Sequence, residues 1–202
     1  MRLRVPQQPL IRVLGWSRHA LLAGGVGMLA YCGFVLADQW MFQNRENRQL
    51  EQLLAASPGL PAQTWSAAPQ HGLIGRLEIP SLGLSAIVME GTGRSTLRRA
   101  VGHIPGTALP GEPGNVGISG HRDTFFRPLR KIQRNDIITL TTLRGEYRYR
   151  VVSTSVVSPN DVKVLASSGN EILTLVTCYP FYFVGAAPGR FIVRAERVGN
   201  AA

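Results

Sequence analysis

Residues 20–37 read ALLAGGVGMLAYCGFVLA, eighteen positions without a charged side chain. Ahead of them stand Arg2, Arg4, Arg12 and Arg18, with no acidic residue. A helix needs about 17–25 apolar residues to cross the hydrocarbon core of a bilayer, so the run is long enough to predict a transmembrane anchor over 20–37. Arginines on the N-terminal side place residues 1–19 in the cytoplasm by the positive-inside rule, and everything from Asp38 onward outside it. The expected location is therefore the plasma membrane, single-pass, with the body of the protein extracytoplasmic. A cleaved signal peptide is the competing reading, because Val35 and Ala37 fit the small-residue pattern before a cut at Asp38. A buried core helix is a third, opposed by the one-sided arginines and the lack of a polar face.

The exported part stays basic. Of the net charge of +10, four units come from the N-terminal arginines and six from residues 38–202. Arg122, Arg127, Arg130, Lys131 and Arg134 crowd one short stretch. Without an interleaved aromatic platform, and in an exported domain, this reads as a solvated basic face and not as a nucleic-acid site. Residues 38–56 are rich in helix formers and predict a membrane-proximal helix. The prolines and small residues of 57–72 end it and read as a linker. A single folded domain is expected over 73–202.

In that domain the pattern changes to short apolar or alternating runs set between Gly, Pro, Asn and Asp. LIGRLEI (73–79), LSAIVME (84–90), NVGISG (115–120), DIITLTTL (136–143), EYRYRVVSTSVV (146–157), EILTLVTC (171–178) and RFIVRAERV (190–198) predict seven strands. No helical pattern of ten residues interrupts them, which disfavours a parallel βαβ architecture. The fold class is all-β, a mostly antiparallel barrel or sandwich. Arg144-Gly145 is expected to be the turn of a two-residue hairpin. GTGRST (91–96) lacks the rest of a nucleotide fingerprint and reads as a turn.

The cysteines carry the first chemical clue. Cys32 lies in the predicted span, so Cys178 is a lone thiol in an exported domain, where unpaired thiols invite oxidation. An inert buried cysteine is the bland account. A nucleophilic thiol needs a base or cation brought by the fold, and both GNVGISGHRDTFF and ILTLVTCYPF deliver a reactive residue as a strand ends. His19 precedes the span, His71 falls in the linker and His103 in a Gly/Pro-rich loop, leaving His121 as the candidate partner. Acyl transfer also needs a positive group where the carbonyl oxygen gathers charge. Arg190 opens the strand after Cys178 and fits that place, with Arg194 as the rival on the same strand face. No ligand pair stands at metal-like spacing, so no metal is expected.

TLVTC (174–178) resembles the TLxTC signature of sortases, NVGISGHRDTFF resembles their histidine segment, and GRFIVRA (189–195) resembles their arginine strand, in the family's order. The resemblance extends from Leu73 to Val198 and is closest to the class D-like and Gram-negative sortases. It implies an eight-stranded closed β-barrel with short helices behind the N-terminal span. It also implies a cysteine transpeptidase in which Cys178 attacks a carbonyl of a C-terminal sorting motif on an exported protein. His121 would then act as general acid and base, Arg190 would hold the oxyanion, and an amine of the cell envelope would resolve the thioacyl intermediate. Asp123 and Thr177 are candidates for supporting parts. No cofactor is expected; calcium, which several family members use, stays an open alternative, with no acidic cluster here to hold it. A cysteine endopeptidase and a noncatalytic surface-binding domain are the alternative functions.

Overall fold

The computed structural model describes residues 7–56, 72–167, 169–182 and 185–199. Its elements are α1 (Gln7–Ala56), β1 (Leu73–Ile79), β2 (Leu84–Glu90), α2 (Arg94–Arg99), β3 (Val101–His103), β4 (Asn115–Ser119), β5 (Ile137–Thr142), β6 (Gly145–Val157), β7 (Ile172–Tyr179) and β8 (Gly189–Arg197), with three short 3₁₀ turns between them. The linker expected over 57–72 falls outside the described residues but for Gly72, and so does His71.

The chain divides into two units, residues 1–41 and 42–202. Described side chains of the first are exposed along the apolar run, Leu21, Val26, Leu29 and Phe34 among them. Length and composition make this stretch a candidate membrane anchor. The anchor and the membrane-proximal helix, read as separate segments in the sequence, belong to one unbroken helix, since no Pro or paired Gly interrupts 38–56.

In the second unit the strands close into a barrel in the order β1-β2-β3-β4-β7-β8-β6-β5, with β5 returning to β1. Pairing is antiparallel except between β2 and β3 and between β4 and β7. Period two sorts each strand into faces. Leu77 and Ile79, Val116 and Ile118, Ile138 and Leu140, Tyr149 and Val151, Leu173 and Leu175, and Val193 and Ala195 fill the interior as one cluster. At the outer face of β1 and β2, Leu50 of α1 packs against Leu73 and Ile87. Gln43 fixes that contact by accepting from the Ile87 amide at 2.9 Å and donating to the Arg99 carbonyl at 2.6 Å.

Seven strands match the runs read from the sequence to within a residue at each end. The eighth, β3, has three residues, too short to show a period. Three local readings need correction. GTGRST is not only a turn: α2 starts inside it at Arg94, after Gly93 in extended backbone. Leu143 and Arg144 make the hairpin turn, while Gly145, with φ 137°, already pairs with Thr142. His103 is a buried strand residue, bonded through Nδ1 to Glu90 Oε2 at 2.8 Å and through Nε2 to the Ala108 carbonyl at 3.0 Å.

Below the core, at the end of the barrel that includes Glu196 and Arg197, the Arg197 guanidinium lies 4.8 Å from the Tyr147 ring centroid and 5.8 Å from that of Tyr149, and pairs with Glu171 at 3.1 Å. The Tyr149 hydroxyl is buried and has no hydrogen-bond partner among the described residues. Burial, reinforced by Glu171, raises its pKa well above the usual 10.0, and burial raises that of Tyr147 in the same direction. A raised folded pKa means stability that is complete below the unfolded value and is lost as pH climbs past it. Tyr149→Phe should therefore keep or gain stability, by about 1 kcal/mol at neutral pH, because it deletes an unsatisfied hydroxyl. It should also lessen the loss of stability above pH 10. Urea unfolding at neutral and alkaline pH measures both.

Candidate active site

The barrel brings His121, Cys178 and Arg190 to one end of three neighbouring strands. β4 and β7 run parallel, with Ser119 opposite Val176, so both chains leave the sheet at the same rim. β8 returns antiparallel with Arg190 directly opposite Cys178. Residues so placed share a face, with Cβ atoms about 4.5–5.5 Å apart. Leu173 and Leu175, Val193 and Ala195, and Val116 and Ile118 point inward. Period two then puts Cys178 and Arg190 on the outer face, and His121 follows two residues after the end of β4. Arg194 shares that face but stands opposite Thr174, four residues below Cys178, which separates it from the rim.

Exposure suits reactivity. His121 is exposed, and Cys178 is half-buried and unpaired. The Arg190 guanidinium is held by its own connection, donating to the Gly189 carbonyl at 3.0 Å and the Ala187 carbonyl at 3.5 Å. Thr177 points inward and is buried; its hydroxyl donates to the Gly120 carbonyl at 2.8 Å, tying the residue before His121 to the residue before Cys178. Asp123 is exposed and makes no side-chain hydrogen bond among the described residues. The structure thus gathers three of the five predicted residues at one rim, sets Thr177 just beneath them and leaves Asp123 in the following turn.

The floor of the site is built from β4 and β7. Buried Asn115 accepts from the Thr174 hydroxyl at 2.8 Å and donates to the carbonyls of Val164 and Ala166 at 3.0 and 3.3 Å. That network straps the turn at Val162–Leu165 across the outer face below Cys178. Around the end of β7, Tyr179, Phe181 and Phe191 form an aromatic cluster, with Phe181 and Phe191 centroids 5.3 Å apart. Gly120 lets the buried Phe126 ring press on the backbone: a Cβ there would lie 2.7 Å from the ring. The Phe126 amide closes the turn by donating to the His121 carbonyl at 3.0 Å.

Sequence reading missed Asn115, whose role depends on a partner 59 residues away. It gave Arg122 no role of its own beyond the basic face and the histidine segment, whereas its guanidinium donates to the Pro180 carbonyl at 3.0 Å and the Gly185 carbonyl at 3.1 Å. A surface cavity of about 450 Å³, lined by Arg134, Arg150 and Arg197, lies at the other end of β8 and touches none of these groups. Among the described residues, no three His, Cys, Asp or Glu side chains converge as a cation site.

Comparison with known proteins gives one answer. A family model described as a sortase domain matches residues 77–198. The chain is 32% identical to Sortase D of Bacillus subtilis (strain 168) over 190 residues, 88% of this chain and 96% of that one. A solved Sortase D5 transpeptidase of Clostridium perfringens superposes with a TM-score of 0.69 at 28% identity, covering 79% of this chain and 99% of the other. Sortase A of Listeria monocytogenes superposes with a TM-score of 0.58 at 25% identity over 63% of this chain and 88% of that one.

The seat of Phe126 is open to test. Gly120→Ala overpacks it and should cost about 1–3 kcal/mol, read as a lower urea midpoint; unchanged stability would show that the ring has room to move.

Proposed function

The chain belongs to the sortase family of cysteine transpeptidases, and we propose that its reaction runs through Cys178, His121 and Arg190 at the barrel rim. The observation that supports this most is the register that sets Arg190 opposite Cys178, while parallel β4 ends two residues before His121 toward the same rim.

In this reading the Cys178 thiol passes its proton to His121 as its Sγ attacks the backbone carbonyl carbon of a C-terminal sorting motif on an exported protein. Charge gathers on the carbonyl oxygen, and the Arg190 guanidinium, turned from the Ala187 and Gly189 carbonyls, donates to it. His121 gives a proton to the departing amine, the C–N bond breaks, and the acyl group stays on sulfur as a thioester. An amine of the cell envelope then enters, His121 takes its proton, and the new amide forms as the Cys178 sulfur leaves. Thr177 supports the pair through its bond to the Gly120 carbonyl. Asp123 receives no step, and the reaction as written uses no cofactor. The candidate anchor would hold the enzyme in the plasma membrane with its N-terminus cytoplasmic and the barrel facing exported substrates.

The full chain in detergent micelles, with a sorting-motif peptide and an amine, should form a thioester that Cys178→Ala cannot form. A ligated product that rises with amine concentration marks a transpeptidase, and a product unchanged by every amine marks the endopeptidase alternative. Arg190→Lys keeps the charge but loses the planar two-pronged donor, and should lower kcat/KM by about 10²-fold. Full activity in that variant would move the oxyanion role elsewhere.

A further inference from the structure

The backbone ladder that aligns β4 with β7 stops short of His121. Its last pairing is Ser119 with Val176, followed by one bond from the Gly120 amide to the Val176 carbonyl at 3.1 Å. The chain then turns away through 121–126, while β7 continues past Cys178 to Tyr179, paired with β8. Backbone pairing alone leaves the level of His121 against Cys178 undetermined.

Arg122 supplies the missing tie. One guanidinium nitrogen bonds the Pro180 carbonyl, two residues past Cys178, and another bonds the Gly185 carbonyl in the middle of the β7–β8 connection. His121 is therefore bracketed, with Gly120 tied to Val176 and Thr177 before it and Arg122 tied to Pro180 after it. From the same segment Arg130 stacks over the Tyr182 ring at 5.3 Å and bonds its hydroxyl. A guanidinium fork holds two acceptors in fixed geometry, which an ammonium on a flexible stem does not do.

We propose that Arg122 is a positioning residue that fixes His121 level with Cys178 by bridging the histidine turn to the start and the middle of the β7–β8 connection. Its guanidinium bonds go to the backbone carbonyls of Pro180 and Gly185, and in this role it works through His121. The proposal rests on the reading of His121 as the general acid and base.

The test uses the full chain in micelles with Cys32→Ser, so that Cys178 is the remaining cysteine, and with Cys178→Ala as the control. p-Nitrophenyl acetate acetylates Cys178 and releases nitrophenolate. Added glycinamide then breaks the thioester, forming the N–C bond while its proton passes to His121. Arg122→Gln should slow this aminolysis by about tenfold or more in the His121 protein. In the His121→Ala background the same change should matter by less than about twofold, since the group it positions is gone. Arg122→Lys should fall between. The urea unfolding midpoint of each variant, read by circular dichroism, reports whether it is folded, so a variant that merely unfolds is told apart from a folded one that slows aminolysis. An equal slowing in both backgrounds would assign Arg122 a direct effect on the sulfur and overturn the proposal, as would no slowing at all. If His121→Ala by itself left aminolysis unchanged, the assignment of His121 would fail first and the positioning role with it.

Discussion

The parallel pairing of β4 with β7 is the constraint on which the rest of this structure depends. An antiparallel neighbour would send its strand end to the opposite rim, whereas a parallel one delivers both ends to the same place. With that pairing fixed, the antiparallel return of β8 sets Arg190 opposite Cys178. Period-two alternation then decides that hydrophobic neighbours fill the barrel while the reactive groups face outward. A one-residue slip of β7 would exchange the two sets, burying the thiol and exposing Leu173 and Leu175. The tightly filled interior and the placement of the reactive rim are thus one fact of register.

Polar ties hold what the ladder cannot. Asn115, Thr177 and Arg122 each bond a group 49 to 63 residues away, and each spans β4 or its extension to the chain around β7. They use different chemistry for different surroundings. The amide and hydroxyl are buried, where an unmet carbonyl is costly. The guanidinium works at the solvent-facing rim, where its charge keeps its hydration. The aromatic cluster of Tyr179, Phe181 and Phe191 supplies the apolar footing between them.

Much of the barrel was legible because seven strands carry runs long enough to show alternation or continuous burial. β3 was invisible at three residues, and α2 at six. His103 was misread for the same reason: the glycines and prolines around it signalled a loop, while its burial depends on Glu90 and the Ala108 carbonyl across space. At the candidate site, Cys178, His121 and Arg190 stood out because each ends or begins a recognisable strand next to turn residues. Asn115 and Arg122 did not, because their significance lies in which carbonyl they reach, and chain distance erases that information. Asp123, a candidate for a supporting part or a surface carboxylate, is exposed in the turn after His121.

The separation of 57 residues between Gly120 and its Thr177 partner has a kinetic side. Contacts so distant along the chain form late, after the entropy of closing the intervening loop has been met. A chain whose barrel has not yet closed would carry Cys178 without the β8 strand that sets Arg190 opposite it. Under the proposed reaction, Cys178, His121 and Arg190 would come together only when the barrel shuts, and a half-folded molecule would hold no assembled centre.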